Sequence, residues 1–444
     1  MKRPCSFREK LRHEERPLED EEKLGSMSTV KYSLAAPAES LLATRAVPCR
    51  LRVARTDDEL RKLLPFWMKA NRHPDADAEF YSLMVGNGSQ AARPHILVAE
   101  QNGEPVVILI GRLERTQVQI RLGYFPLFRL NIRQLTFLQD GLIGDCSKEI
   151  TRALVEQIME CLRAGTADRA LFERVEVGTE LYRLARTVPG VWTGDYSMDT
   201  TEGWKTKLPA TLEEFLKRRS KKHRYWLRRI GRVFEEDFSG QVKYQIYQNR
   251  SEVEAFCACA EAVARKTYHR GLNVGFVDNA QNRRRLELAG DKGWLRGYVA
   301  FIGREPVAFW CGRLYQGVML LDWTGYDPAY GRYELGTILF LKMVEDLCAA
   351  GEQEIDYGSG TSFYKERFGD HKRGQALVHI YAPTARGFCL NVVKALEAAS
   401  NRWAKVAARK LGIIDRIKKH WRGRLATRSQ NETGAQNGSA AAGE

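Results

Sequence analysis

Three short matches that keep register constrain this chain more than its composition does. Val98-Ala99 recurs as Val299-Ala300, Glu104-Pro105-Val106 as Glu305-Pro306-Val307, and Gly111-Arg112-Leu113 as Gly312-Arg313-Leu314, all at one offset of 201 residues without a gap. A little further on, Gly123-Tyr124-Phe125-Pro126 answers Gly325-Tyr326-Asp327-Pro328. Chance identities do not hold a common offset, so the chain carries two copies of one domain. A length of 444 residues suits two such copies with extensions.

Each copy has the same coarse pattern. In the second, Ser251 with Glu254 reads as a capping box opening a helix to about residue 267. Strand-like runs follow at 294–302, 306–315 and 318–326, with Gly303-Arg304 and Gln316-Gly317 as hairpin turns. A helix over 335–350, a strand at 354–357, a helix near 362–368 and a strand at 376–381 complete it. The first copy repeats the order: a helix over 57–70, strands at 95–101, 106–113 and 118–124, a helix over 148–163 and a strand near 171–177. An antiparallel meander that passes through a helix into a parallel neighbour is a layered α/β (α+β) arrangement. The expected division is an extended arm over 1–48, a first lobe over 49–200, a basic linker helix within 201–240, a second lobe over 241–385, a basic amphipathic helix over 386–424 and a polar tail over 425–444.

The linker helix carries Lys217, Arg218, Arg219, Lys221, Lys222, Arg224, Arg228, Arg229 and Arg232, with Trp226, Leu227, Ile230 and Phe234 as its buried side. Together with the late basic helix it contributes to a net charge of +15, which points to anionic partners. The nine cysteines are scattered, and Cys257-x-Cys259 has no second pair at zinc spacing, so reduced thiols without a metal are expected. The charged N-terminus lacks the apolar core of a signal peptide, and no run of about 18 apolar residues offers a membrane span. A cytoplasmic protein is expected, with translation starting at Met1 or Met27. The 386–424 helix, with Trp403 and Trp421, suits either peripheral contact with the inner face of an anionic membrane or packing against the body with a basic outer face.

The segments Gly325-Tyr326-Asp327-Pro328, Leu335-Gly336-Thr337, Ile355-Asp356-Tyr357-Gly358-Ser359-Gly360 and Tyr364-Lys365-Glu366-Arg367-Phe368-Gly369 resemble the GNAT superfamily, in particular the tandem-lobed acetyltransferases encoded near bacterial cellulose and exopolysaccharide genes. The resemblance extends more distantly to the Fem-type aminoacyl transferases of peptidoglycan synthesis. It covers roughly residues 50–385. It implies two tandem GNAT-like lobes, each a mixed and mostly antiparallel sheet flanked by helices, followed by a long basic helix. It also implies acyl transfer from acetyl-CoA or another acyl-CoA to an amine, on an amino sugar, a polysaccharide precursor or a small metabolite. The usual pyrophosphate loop of the superfamily is Arg/Gln-x-x-Gly-x-Gly/Ala. Here Arg332 stands one residue too far from Gly336.

Acyl transfer needs a held diphosphate, a polarised thioester carbonyl and a deprotonated amine, since a lysine-type amine with a pKa near 10.4 is protonated at neutral pH. The stretch 331–337 joins a strand to a helix, and free amides at a helix N-terminus bind phosphate oxygens. Gly331, Arg332, Gly336 and Thr337 are therefore the cofactor-binding candidates. The superfamily exposes a backbone amide between two splayed parallel strands, which the resemblance places at 318–326 and 354–357. Asp322, near the end of an apolar strand, is a candidate base, with a solvated or ion-paired strand carboxylate as the alternative. Asp356 is a second candidate, with a turn cap as its alternative. Tyr364 follows the last parallel strand, where the resemblance implies a tyrosine that protonates the leaving thiolate; a packed aromatic is the alternative. Lys365, Trp323 and Tyr326 are assigned to the substrate.

The first copy has Gly178-Thr179-x-x-Tyr182-Arg183 against Gly360-Thr361-x-x-Tyr364-Lys365, but not the Asp-Tyr-Gly-x-Gly approach. It reads as a degenerate lobe that helps form an acceptor cleft, with Asp140 either facing that cleft or serving a turn. Two rivals remain. One is Fem-like transfer from aminoacyl-tRNA, with the basic linker helix holding RNA. The other is a non-catalytic scaffold at a membrane or polysaccharide synthase.

Overall fold

The computed structural model describes residues 49–410 except 87–91, 123–124, 198, 268–269, 271–274 and 361. The expectations for the arm at 1–48, for Trp421, for the tail at 425–444 and for Thr361 lie outside the described residues. The described residues belong to one compact unit.

The first copy runs β1 (Arg50–Ala54), α1 (Asp57–Ala70), α2 (Ala78–Gly86), β2 (Arg93–Pro94), β3 (Ile96–Gln101), β4 (Glu104–Leu122), β5 (Phe125–Gly144), α3 (Lys148–Arg163), β6 (Arg169–Glu176) and α4 (Glu180–Thr187). A connecting stretch holds β7 (Thr200–Lys207), α5 (Leu212–Lys217) and α6 (Lys221–Asp237). The second copy runs β8 (Val242–Tyr247), α7 (Val253–Arg265), α8 (Ala280–Asp291), β9 (Leu295–Ile302), β10 (Glu305–Tyr315), β11 (Val318–Tyr326), α9 (Leu335–Ala349), β12 (Glu354–Ser359), α10 (Phe363–Phe368) and β13 (His371–Tyr381), and α11 (Ala385–Lys410) follows. This is the layered α/β fold with two tandem lobes and a long C-terminal helix that the repeat and the resemblance led us to expect.

The strands form a single sheet in the order β1-β3-β4-β5-β6-β13-β7-β12-β11-β10-β9-β8. Each half is an antiparallel meander that turns parallel once, at β5/β6 in the first lobe and at β11/β12 in the second. The last position of each half is filled by exchange. β13, from the end of the second copy, pairs with β6 of the first, and β7, which follows the first copy, pairs with β12 of the second. β13 and β7 then pair with each other from His371 opposite Lys205 to Ala376 opposite Thr200, which closes the two halves into one sheet. The lobes are therefore not consecutive stretches of sequence.

Helices cover both faces of the sheet. In the second lobe α5, α6 and α9 bury Phe215, Leu227, Phe234, Phe340 and Met343 against Met319, Ile355 and Tyr357 on one face. On the other face α7 and α8 bury Phe256, Val263 and Leu286 against Val299 and Phe309. The first lobe repeats this with α3 and α4 on one face and α1 and α2 on the other. Each large apolar side chain so buried contributes about 1.5–3 kcal/mol. Local signals agree with the elements: Thr56 and Glu59 form a capping box at the start of α1, and Thr211 caps α5 by accepting from the Glu214 amide.

Several expectations are corrected. The separate strands expected at 106–113 and 118–124 are one strand, β4, and β5 follows it as a second long strand. Gly123 and Tyr124 of the Gly123/Gly325 match lie outside the described residues. Gly325-Tyr326 ends β11, whereas the counterpart of β11, by its pairing with β4 and β6, is β5. The capping box formed here is Asn249–Glu252, two residues before the expected Ser251–Glu254; it opens a 3-10 turn, Arg250–Glu252, that leads into α7, which has no side-chain cap of its own. The stretch 201–240 begins with a sheet strand, and its helix is broken at Ser220, which caps α6. Finally, α11 packs Leu390 and Val393 against Val118, Ile120 and Ile132 of the long hairpin. Among the described residues no helix is long and apolar enough to cross a membrane.

Candidate active site

In the second lobe β11 and β12 pair only from Val318 opposite Glu354 to Leu320 opposite Asp356. Past that point the ladder stops, and Leu321 and Asp322 part from Tyr357 and Gly358. One cause is a bulge on the other edge of β11. Cys311 pairs with Trp323 and Gly312 with Leu321, so Asp322 is an extra residue that bends the strand away. A Cβ on Gly312 would lie 2.2 Å from the Leu320 carbonyl oxygen, so the bend requires glycine there.

The first lobe has a wider bulge at Gly111, where Leu109 pairs with Leu142 and Gly111 with Phe137, but its gap is filled. Phe137, which pairs with Gly111 as Leu321 does with Gly312, stacks on Phe172 of β6 at 5.1 Å. Its helix is also closed, since Ser147 caps α3 by accepting from the Ile150 amide. By contrast α9 starts with no side-chain cap, and Glu334 ahead of it takes a left-handed φ of 50°. No heavy atom lies within 4 Å of a Cβ built on Gly331, and only the Tyr326 ring, at 3.7 Å, comes near one built on Gly336. An uncapped helix N-terminus leaves amides for an anion, and the turn before it is not filled by side chains.

The cation at this mouth is not Arg332. Arg332 is exposed, stacks on Tyr333 at 4.5 Å and turns toward Asp237. Arg367 of α10 takes the place instead. Its guanidinium lies 4.0 Å from the Phe363 ring centre and 4.7 Å from that of Trp226, and it pairs with Glu334 at 2.9 Å. Glu334 also accepts from the Thr337 hydroxyl at 3.3 Å. The sequence shows Arg367 only as a member of the Tyr-Lys-x-Arg-Phe-Gly string, and nothing in that string marks it over Arg332.

Tyr364 packs edge-on against Trp310 at 5.1 Å, and the Trp310 indole donates to the Gly336 carbonyl at 2.9 Å. Tyr364 is therefore tied to the first turn of α9. Burial pushes its hydroxyl pKa up, so it stays protonated and able to donate. Lys365 is buried and donates to the Ser359 carbonyl at 2.7 Å; desolvation lowers its pKa to about 8, partly opposed by Asp356. Tyr326 flanks Gly336 on this same side. Trp323 lies elsewhere, edge-on to Phe276 at 5.4 Å against the α7–α8 core.

The carboxylates are committed. Arg313 holds Asp322 through two bonds, of 2.9 and 3.0 Å, and reaches Asp75 at 2.6 Å with its third nitrogen. Asp356 accepts from Arg373 at 2.5 Å and from the Gly358 amide at 2.8 Å, so it serves the turn and an ion pair together. Both carboxylates are thus engaged by arginines, as the structural alternative at each position has it.

On the sheet face away from α9, a cleft of about 650 Å³ opens between the lobes, lined among others by His73, Asp140, Lys205, Tyr315, Leu320, Asp356 and Arg373. A chamber of about 40 Å³ adjoins it between Leu320, Leu321, Asp356 and Gly358, where β11 and β12 part, and it too touches His73. Asp140 thus faces the cleft, 3.7 Å from His73 Nε2. His73 Nδ1 accepts from the Asp75 amide, and burial lowers its pKa, so the ring is neutral with its proton on Nε2. Sequence reasoning missed His73, because a lone histidine outside any motif carries no signal.

Residues 221–366 match the family model described as "Acetyltransferase (GNAT) domain". Among solved structures, the chain is similar to the C-terminal domain of a protein described as a lysylphosphatidylglycerol synthetase from Agrobacterium fabrum (14% identity, 77% of this chain and 97% of that one, TM-score 0.46). It is also similar to FemX (9%, 72% and 96%, 0.47) and to a tandem GNAT protein from the clavulanic acid biosynthesis pathway (12%, 75% and 99%, 0.43). No curated protein matches the chain.

Proposed function

We propose that this chain, whose residues 221–366 belong to the GNAT acetyltransferase domain family, moves an acyl group from a CoA thioester to an amine. The observation that carries the reading is the contrast between the lobes. The second has parted strands and an uncapped, glycine-bearing helix start, where the first has stacked phenylalanines and a serine cap. The diphosphate would lie at the start of α9 on the Gly336 amide with Arg367 beside it, and the thioester would pass between β11 and β12. The amine would arrive from the interlobe cleft on the opposite face.

The reaction converts R–NH3+ and acyl–S–CoA into an amide, HS–CoA and one free proton. The ammonium first loses a proton, and Lys365, whose pKa burial lowers to about 8, is a group in the site able to exchange one. The N–C bond then forms and the C–S bond breaks. Tyr364 gives its proton to the thiolate and is restored by the second proton from the nitrogen. A backbone amide freed where the ladder ends would polarise the carbonyl.

A second reading keeps the fold and replaces CoA by aminoacyl-tRNA. The exposed basic side of α6, with Lys221, Lys222, Arg228, Arg229 and Arg232, favours it. Thermal unfolding with acetyl-CoA, longer acyl-CoAs and bulk tRNA separates the two. A rise with CoA esters supports the first, a rise with tRNA alone supports the second, and no rise with either leaves a scaffold. Tyr364→Phe is expected to depress turnover more than donor binding; unchanged turnover removes Tyr364 from the mechanism. Contact with an anionic membrane through 386–424 is a separate proposal, supported by exposed Leu396 and Trp403 on α11. Co-sedimentation with anionic but not neutral vesicles is expected, and no co-sedimentation would contradict it.

A further inference from the structure

The chamber where the strands part holds polar atoms without partners. His73 Nε2, Arg373 Nε and Gln375 Oε1 are buried, all three side chains line the chamber, and none of these atoms has a hydrogen-bond partner within the protein. Gln375 is only 1% exposed, so bulk water does not serve it. The set has a definite polarity. His73 Nε2 and Arg373 Nε are donors, and the Gln375 oxygen is an acceptor.

The charges tell the same story. Most ionic groups here have a partner of opposite sign, as Arg313 has Asp75 and Asp322, and Arg373 has Asp356. Two from the first lobe do not. Arg174 bonds to the neutral Gln139 at 3.1 Å, and Asp140 has only neutral His73 at 3.7 Å and the Gln139 amide at 3.3 Å. Among the described residues neither has a charged partner of opposite sign within ion-pair distance. One spare guanidinium therefore lines the chamber, and one spare carboxylate lines the adjoining cleft.

We infer that the acceptor is zwitterionic: the molecule that brings the amine also brings a carboxylate or phosphate, and the first lobe reads both ends. The ammonium lies toward Asp140 and Gln375, and the anionic group toward Arg174, Arg373 Nε and His73 Nε2. A simple alkylamine leaves three donors unmet. A species that is only anionic leaves Asp140 without a counter-charge. The inference deepens the transferase reading and rests on it, and it narrows the acceptor from amines at large to amino acids and amino phosphates. It also gives the degenerate lobe a task, since Arg174 and Asp140 both belong to it.

The test uses the full chain with saturating acetyl-CoA and five probes at equal concentration: glycine, 2-aminoethyl phosphate, glucosamine, propylamine and propionate. Binding is read by calorimetry and turnover by thiol release. Zwitterions are expected to exceed propylamine and glucosamine in kcat/KM by about tenfold to a hundredfold, the worth of a hydrogen bond to a charged group. Carboxylate and phosphate sources are told apart by the first two probes. Arg174→Gln should reduce that preference toward unity chiefly through KM, and Arg174→Lys should restore part of it. Equal or better use of propylamine or glucosamine overturns the inference, as does failure of both zwitterions to bind while acetyl-CoA binds. Failure of acetyl-CoA itself to bind overturns the transferase reading instead.

Discussion

Placing a phenylalanine at Leu321 copies into the second lobe the plug that the first lobe already has. Leu321 pairs with Gly312 as Phe137 pairs with Gly111, and Tyr357 stands where Phe172 stands. The larger ring would lie against Tyr357 in a packed layer, at an overpacking cost of about 1–3 kcal/mol. Unfolding entropy for a unit of this size is roughly 0.8 kcal/mol per kelvin. Leu321→Phe should therefore melt about 1–4 °C below the parent without ligand. A donor held at a hundred times its dissociation constant adds about 2.7 kcal/mol, or roughly 3 °C, to the parent protein. The variant should lose that increment entirely. Differential scanning fluorimetry with and without acetyl-CoA reads both effects. The control is Phe137→Leu, which loosens the first lobe and should leave the acetyl-CoA increment intact. If Leu321→Phe keeps the full increment, the donor does not pass between β11 and β12.

Other consequences follow from single contacts. Arg367→Gln should weaken acetyl-CoA binding by about tenfold to a hundredfold, whereas Arg332→Gln should leave it nearly unchanged; calorimetry ranks the two. Lys365 titrates near 8 in the folded chain against 10.5 when exposed. The unfolded chain binds more protons between those pH values, so this group adds stability as pH rises through that window, up to roughly 3 kcal/mol. Lys365→Met should remove that rise, and the difference in urea midpoints between the two proteins from pH 8 to 10 checks it. Because β7 and β13 are exchanged, a chain cut at 208–210 should give halves that fold poorly alone and form a 1:1 complex when mixed. Two monodisperse, independently folded halves would contradict the exchange.

What the sequence disclosed follows from how local each feature is. The offset of 201 captured the β3–β4 and β9–β10 hairpins because each needs a glycine where the next strand crowds it, Gly111 against the Phe137 ring and Gly312 against the Leu320 carbonyl. The Thr211 cap of α5 is a local feature because its bond spans three residues, whereas the expected Ser251–Glu254 box gives way to one at Asn249–Glu252. Exchange of β7 and β13 was not legible, since an amphipathic strand does not encode which edge it joins. The same holds for the cleft. His73, Asp140, Arg174 and Gln375 lie far apart in the chain and meet only once the sheet has closed. Asp322 looked like a desolvated carboxylate because its run is apolar, while its partner Arg313 sits across the hairpin on β10.

The central claim is that the second lobe alone holds an acyl-CoA. Isothermal titration of the full chain with acetyl-CoA tests it most directly. The account predicts saturable binding of one equivalent per chain. No heat at millimolar ligand, or two equivalents with both lobes filled, would contradict it.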